Sequence, residues 1–210
     1  MILSALAFIA GSLQAQEILI KDLDGDGITD TVRIKESKID DENSLARFIC
    51  LLSSHRFEEI KSQPINIPHF ANTVVEVGVT STKSGFEIFT NEAFMGFREQ
   101  KAQFRFDRQT GKMQLIGMTN ASSGNAEGDD KGKSSVNLLT GDYIGDWYLL
   151  EPNLEKLVKI PTIKAKMNFG KIYFEDFINT LFKYEKECNE LRYEQQRKVI
   201  EANIEKYYKE

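Results

Sequence analysis

Residues 21–35 read KDLDGDGITDTVRIK and place four aspartates, Asp22, Asp24, Asp26 and Asp30, within nine positions. Carboxylates this close repel one another, and they either become protonated or attract positive charge. The spacing D-x-D-x-D-G-x-x-D suits a hard cation, because such ions prefer carboxylate, carbonyl and water oxygens. We therefore expect a metal-binding loop here.

Calcium is the ion that this spacing favours. Its expected ligands alternate along the loop and are the carboxylates of Asp22, Asp24, Asp26 and Asp30 and the backbone carbonyl of Ile28. Gly27 stands where the loop must turn sharply. An EF-hand would need a glutamate where Arg33 stands, and the flanks EILI and TVRI alternate as strands do. A solvated acidic turn without metal is the alternative.

The composition limits the class of protein. The chain has 210 residues, of which 41% are hydrophobic, which is enough for one core of ordinary size and too little for three independent domains. The net charge of −5 gives no basic footprint, so nucleic acids and anionic membrane surfaces are poor partner candidates. A cationic partner would be attracted instead.

Residues 1–15, MILSALAFIAGSLQA, form an apolar run that ends in small residues. This pattern is typical of a signal peptide cleaved after Ala15. The mature chain would then begin at Gln16, and the protein would be periplasmic or secreted. A buried N-terminal strand is the alternative. No later stretch is long and apolar enough to span a bilayer.

Residues 16–167 are predicted to form one antiparallel β domain. Short alternating segments rich in Val, Ile, Phe and Thr are separated by turns, notably STKSG at 81–85 and DRQTGK at 107–112. The glycine in each turn suits a left-handed conformation that closes a hairpin. The pattern fits a sandwich, a barrel or a propeller-like arrangement and does not choose between them.

Residues 168–210 are predicted to form a C-terminal helical extension. From about residue 173 toward 207, apolar residues recur every three or four positions, and Glu, Lys and Arg fill the rest. The stripe consists of Phe174, Phe177, Ile178, Leu181, Tyr184, Cys188 and Leu191. Its aromatic half should pack on the β domain, and the polar later half should project or fray. A partner-binding helix is the alternative.

The two cysteines, Cys50 and Cys188, lie on apolar faces of a predicted strand and of the predicted helix. Export would permit a disulfide between them. Both positions also suit free thiols in a core, so the pairing stays open.

Motifs typical of catalysis are absent: the sequence has no G-x-S-x-G elbow, H-E-x-x-H, Walker loop or dinucleotide glycine fingerprint. His55 and His69 lie in separate segments, where surface or capping roles are expected. Trp147 could stack on a sugar, although an aromatic residue in an alternating strand more often belongs to the core. We expect a non-catalytic protein.

One stretch, TNASSGNAEGDDKGKSS at 119–135, contains no large apolar side chain. It is predicted to be a solvent-exposed loop or an open edge. Ordinary hairpin loops are much shorter, so this length favours a functional or a disordered loop.

The calcium loop, the FRFDRQTGKMQLIGM hairpin and the SSVNLLTGDYIGDWY stretch follow one another along the chain. In this order they resemble bacterial periplasmic β proteins with VCBS or FG-GAP-type calcium loops, which are related in fold to inhibitors of invertebrate-type lysozyme. The resemblance covers roughly residues 17–150. Its strongest carriers are the calcium loop and the S-x-N-x-L-T-G segment that begins at Ser135.

The resemblance implies an exported, calcium-binding, non-catalytic protein that inhibits a lysozyme-like peptidoglycan hydrolase, in some relatives as an immunity protein. In such inhibitors a polar loop enters the cleft of the hydrolase. The matching partner-binding residues here are Ser134, Ser135 and Asn137. The alternative is a calcium-stabilised cell-surface or glycan-binding module, or a glycan hydrolase.

Overall fold

The computed structural model describes residues 18–69, 73–93, 96–124, 131–151 and 156–207. The predicted signal peptide, its cleavage after Ala15 and the start at Gln16 lie outside the described residues. So does the middle of the predicted polar loop, residues 125–130.

The N-terminal part forms a five-stranded antiparallel sheet. Its strands are β1 (Ile18–Lys21), β2 (Asp30–Lys38), β3 (Asn43–Leu51), β4 (Glu59–Lys61) and β5 (Ile65–Pro68). They follow the order β1-β2-β3-β4, and β5 pairs with the first half of β3 beside β4. A short 3-10 helix, Ser53–His55, follows β3.

A second, eight-stranded antiparallel sheet follows. Its strands are β6 (Val74–Thr82), β7 (Gly85–Ala93), β8 (Phe97–Asp107), β9 (Lys112–Ser122), β10 (Gly132–Asn137), β11 (Asp142–Glu151), β12 (Lys156–Lys159) and β13 (Ile163–Lys166). The order is β12-β11-β10-β9-β8-β7-β6, and β13 also pairs with β11. The mainly β fold is confirmed, with two sheets arranged as in a sandwich.

Both turns predicted from glycine join neighbouring strands, but their glycines act differently. Gly111, before β9, has a φ of +69° and takes the expected left-handed conformation. Gly85 does not have a positive φ. A Cβ atom on Gly85 would lie 2.0 Å from the carbonyl oxygen of Phe104 on β8. Glycine is required there because the neighbouring strand approaches too closely for any side chain.

The two sheets and the helix share one core. The alternating apolar residues of the strands face inward, and the largest rings include Phe48, Phe86, Phe104 and Phe177, each fully buried. The ring centroid of Phe177 lies 6.2 Å from that of Phe48 in the small sheet. It lies 5.1 Å from that of Phe104 in the large sheet. Phe177 therefore links both sheets at the start of the helix.

The helix α1 spans Phe177–Tyr207, so it begins four residues later than predicted. The preceding segment pairs with β9 instead: the Leu115 N–H bonds the Ile172 carbonyl at 2.9 Å, and the Phe174 N–H bonds the Met113 carbonyl at 3.0 Å. Phe174 is buried in the core, as its place on the apolar stripe indicated, but it lies in the turn that precedes the helix.

Part of the polar later half of α1 packs on the β domain, which corrects the expectation that it projects. Arg192 and Gln196 are only 5% and 6% exposed. The Gln196 amide donates a hydrogen bond of 2.8 Å to the Tyr148 carbonyl. The Arg192 guanidinium lies 5.2 Å from the centre of the Trp147 ring. Long polar side chains can bury their stems while hydrogen bonds or aromatic rings satisfy their heads.

Cys50 and Cys188 are both buried and free. Burial raises the pKa of each thiol, in Cys50 most strongly. Such thiols are poorly ionised and unreactive while the chain is folded.

Candidate metal centre

The acidic loop joins β1 to β2, as the flanking alternation predicted. Lys21, the last residue of β1, pairs with Asp30, the first residue of β2, so the ladder closes the base of the loop. Gly25 and Gly27 have φ values of +83° and +87°. These left-handed conformations, which glycine adopts without steric cost, let the loop bend sharply at two positions.

Asp30 is the most deeply buried carboxylate of the loop and is fully shielded from solvent. Its Oδ2 accepts hydrogen bonds from the backbone N–H groups of Leu23, at 2.7 Å, and Asp24, at 3.3 Å. Its Oδ1 accepts one from the N–H of Ser53 at 2.7 Å. Asp30 thus joins the start of the loop to the segment that follows β3.

Asp22 holds the tip of the loop. Its Oδ1 accepts the Gly25 N–H at 2.7 Å, and its Oδ2 accepts the Gly27 N–H at 3.0 Å. An ionised carboxylate has about four acceptor sites, so these two bonds leave lone pairs available to an ion.

Asp24 is bound to the 3-10 helix. The Ser54 hydroxyl donates to its Oδ2 at 2.6 Å, and the Asp26 N–H donates to its Oδ1 at 3.2 Å. Burial alone would raise the pKa of Asp24, but these bonds, led by the one from Ser54, outweigh it and lower the pKa. Asp24 is therefore held in its charged form, the form that binds cations.

The structure brings three of the predicted ligands together. Asp22, Asp24 and Asp30 each offer a carboxylate oxygen, and the three atoms lie within 4.8 Å of one another. Calcium binds oxygens at 2.3–2.6 Å, so two ligands of one ion are at most about 5 Å apart. The three residues therefore fit a single ion of this size.

The other two predicted ligands are placed differently. Asp26 is not part of this group: its Oδ2 accepts the Ser53 hydroxyl at 2.6 Å, and its Oδ1 accepts the Ile28 N–H at 2.8 Å. The Ile28 side chain is 55% exposed. The ligand roles of Asp26 and of the Ile28 carbonyl stay predictions.

Ser53 and Ser54 were missed by the sequence reasoning. They lie 23 to 30 residues after the aspartates that they bond. The antiparallel pairing of β2 with β3 brings them to the loop, because Thr31 at the start of β2 faces Leu51 at the end of β3. No local motif around the serines signals this contact.

The predicted partner-binding residues divide between two faces of β10. Ser134 is 4% exposed, and its hydroxyl bonds the Tyr184 hydroxyl of α1 at 3.0 Å. Ser134 therefore cannot contact a partner of the folded chain, and that prediction is corrected. Ser135 and Asn137 are exposed on the opposite face. Successive strand residues alternate in direction, which separates the neighbouring serines.

The predicted loop 119–135 is shorter than expected. Thr119–Ser122 belong to β9 and Gly132–Ser135 to β10, and they pair with one another, for example Gly132 with Ser122. Small and polar side chains do not prevent this, because backbone groups make the ladder bonds.

The structure also places the three other residues that the sequence analysis singled out. Trp147 is 1% exposed and its indole N–H faces the Tyr143 hydroxyl at 3.3 Å, so it belongs to the core and cannot stack on a glycan. His69 bonds the Ser44 hydroxyl at 2.7 Å. His55 ends the 3-10 helix.

No helix among the described residues carries an apolar stretch long enough to cross a bilayer. No protein-family model matches the chain, and no curated protein or solved structure shows significant similarity to it. The resemblance to VCBS-type proteins and lysozyme inhibitors therefore stays a prediction from the quoted motifs.

Proposed function

We propose that the protein is an exported, non-catalytic β protein that binds calcium in the β1–β2 loop. One observation carries the proposal: Asp22, Asp24 and Asp30 converge within 4.8 Å although their negative charges repel. The hydrogen bonds of the loop compensate part of this charge and leave lone pairs on each carboxylate. A divalent cation would compensate the rest.

The ion would join parts of the small sheet that are distant in sequence. Asp24 and Asp30 already bind the 3-10 helix through Ser54 and Ser53, so an ion held by these carboxylates would stabilise the β1–β2 loop and the end of β3 together. Its role would be structural, because it would hold the β1–β2 loop against the 3-10 helix through Asp24 and Asp30.

Calorimetric titration of the chelator-treated protein with calcium tests this proposal directly. We expect one saturable site with a dissociation constant of roughly 10⁻⁴ to 10⁻³ M, the range of extracellular calcium modules. Heat that shows no saturation through millimolar calcium would leave the loop as an acidic turn.

We further propose that the outer face of the large sheet binds a lysozyme-like peptidoglycan hydrolase. Ser135 and Asn137 border a hollow of about 260 Å³ on this face. The hollow lies over Gly117, which pairs with both Gln103 and Asn137 and contributes no side chain between them. Its polar lining resembles the hydroxyl and amide groups expected of the inhibitory loop.

Asn137 offers this hollow a polar group that can bind a partner. Its side-chain oxygen accepts the Leu139 N–H at 2.9 Å, and its amide nitrogen makes no bond among the described residues. A net charge of −5 would also attract the cationic surface of many lysozymes and raise the association rate.

A peptidoglycan turbidity assay, with and without a panel of lysozymes, distinguishes the functions. An inhibitor slows the clearing caused by one of the lysozymes, and the double variant Ser135→Ala/Asn137→Ala should lose this effect. A glycan hydrolase would clear the suspension by itself. A calcium-stabilised surface module would leave the rate of clearing unchanged, with or without lysozyme.

A further inference from the structure

The outer face of the five-stranded sheet carries charge opposite in sign to the net charge of the chain. Strand pairing places Arg33 and Lys35 of β2, Arg47 of β3 and Lys61 of β4 on this face. Among the paired residues of the sheet, the one carboxylate on the same face is Glu59. Four cations against one anion leave a local surplus of three positive charges on a protein with a net charge of −5.

Two of these cations face each other. Lys35 lies directly opposite Arg47 in the β2–β3 ladder. Like charges in this position repel and destabilise a sheet. Neither side chain has a hydrogen bond or an ion pair with any part of the chain that the structure describes. No contact within the described part of the chain therefore compensates the repulsion between Lys35 and Arg47.

The other two cations share a single carboxylate. The Arg33 guanidinium bonds Glu59 at 2.7 Å and the Lys61 ammonium bonds its other oxygen at 2.9 Å. Lys61, first by its hydrogen bond, and then Arg33 lower the pKa of Glu59. Among the described residues, Glu59 thus pairs with Arg33 and Lys61 and not with Lys35 or Arg47.

A hollow of about 250 Å³ lies among these strands, and its lining includes Lys35, Arg47, Lys61, Glu59 and Ile49. Ile49 is only 1% exposed although it lies on the outer face, opposite both Arg33 and Lys61. The stems of long charged side chains cover such a residue and keep their heads in water. The result is a recess above a covered apolar residue, with a rim of three cations and the carboxylate of Glu59, which is already paired.

We propose that this recess binds phosphate groups of a linear anionic polymer. A tetrahedral phosphate offers acceptor oxygens in several directions and can bond the Lys35 and Arg47 heads at once, whereas a carboxylate offers two oxygens in one plane. A single extended chain can enter a recess that a planar lipid surface reaches only at its rim. The negative net charge of the chain disfavours anionic partners in general. The outer face of the five-stranded sheet is a local exception, because it carries a surplus of positive charge.

Fluorescence anisotropy with a labelled short linear polyphosphate tests the proposal. The full chain is used in chelator, because polyphosphate itself binds calcium, and the result is then independent of the proposed metal site. The double variant Lys35→Thr/Arg47→Thr should bind at least about tenfold more weakly. Its log affinity should also fall less steeply with log salt, by roughly 1.4 in slope, since two cations at about 0.7 each are removed. Its melting temperature should not decrease, because the variant removes a repulsive pair.

The matched control is Lys186→Gln/Arg197→Gln, which removes two exposed cations from α1 and should bind polyphosphate as the wild type does. Ile18 and Ile20 of β1 are exposed beside these cations on the outer face of the five-stranded sheet, a combination that could also bind a lipid surface. Vesicles of anionic phospholipid are therefore a necessary comparison, and poly-glutamate is a second. Wild-type affinity in Lys35→Thr/Arg47→Thr, absence of polyphosphate binding, or stronger binding to vesicles or to poly-glutamate would each overturn the proposal.

Discussion

The Ser54 hydroxyl donates a hydrogen bond of 2.6 Å to the carboxylate of Asp24, which lies 30 residues earlier in the chain. This bond joins the acidic loop directly to the 3-10 helix that follows β3. A cation would therefore bind to carboxylates that the fold already holds partly in place. Less conformational entropy is then lost when the ion binds.

Calcium should stabilise the folded protein to a small, measurable extent. At about 1 mM calcium and a dissociation constant of roughly 10⁻⁴ to 10⁻³ M, the free energy of unfolding rises by about 0.4 to 1.4 kcal/mol. For a chain of 210 residues this raises the melting temperature by about 1 to 5 °C. Scanning calorimetry in chelator and in calcium measures the shift.

Two variants sharpen this measurement. Asp24→Asn removes one charged ligand and should abolish the calcium-dependent shift. Asp41→Asn changes an almost fully exposed aspartate outside the loop and should retain it. Equal shifts in both variants would place the calcium effect elsewhere in the chain.

Ser54→Ala should lower stability in chelator by about 1 kcal/mol at neutral pH, because Asp24 loses a hydrogen bond to its charged form. The folded state depresses the pKa of Asp24 below its usual 3.8. The stabilisation is therefore present above that pH and is lost as the pH falls through the folded-state pKa. Urea denaturation of the wild type and of Ser54→Ala, from neutral pH to below pH 3.8, measures this. The difference between their free energies of unfolding should become smaller as the pH falls. A difference that is constant with pH would mean that Ser54 acts by packing alone.

Ser134→Ala and Ser135→Ala should differ although the residues are adjacent. Ser134→Ala removes a hydrogen bond of the buried Tyr184 hydroxyl and should cost about 1 kcal/mol in the free energy of unfolding. Ser135→Ala changes an exposed position and should stay within about 0.5 kcal/mol of the wild type. Urea denaturation compares them, and equal values would contradict the assignment of opposite faces.

Gly85→Ala should be one of the most destabilising alanine substitutions in a strand. Its Cβ would lie 2.0 Å from a backbone oxygen, which can move only if β7 and β8 separate. We expect a cost of about 3 kcal/mol or loss of folding. Gly117→Ala is the matched control, since its nearest neighbour would be at 3.4 Å and its φ is not in the left-handed region. In thermal melts, the melting temperature of Gly85→Ala should be clearly lower than that of Gly117→Ala. A Gly85→Ala protein as stable as Gly117→Ala would show that the strands can rearrange.

The candidate site was predictable in part. The D-x-D-x-D-G-x-x-D spacing predicted that Asp22, Asp24 and Asp30 lie close together, and they do, because residues of one short loop are close whatever the rest of the chain does. Asp26 turned instead to Ser53, a partner supplied by strand pairing. Sequence spacing contains no information about such competing partners.

The sequence by itself determined the local features of this protein: period-two alternation specified strands, period-3.6 apolar spacing specified α1, and Gly111 specified its turn, since each depends on neighbouring residues alone. Only the tertiary structure decided which face each residue occupies. The register of β9, β10 and β11 buried Ser134 and Trp147 and exposed Ser135. The register of β2 and β3 set Lys35 against Arg47. Register follows from pairing energies summed over strands distant in sequence, and a shift of one residue would reverse every one of these positions.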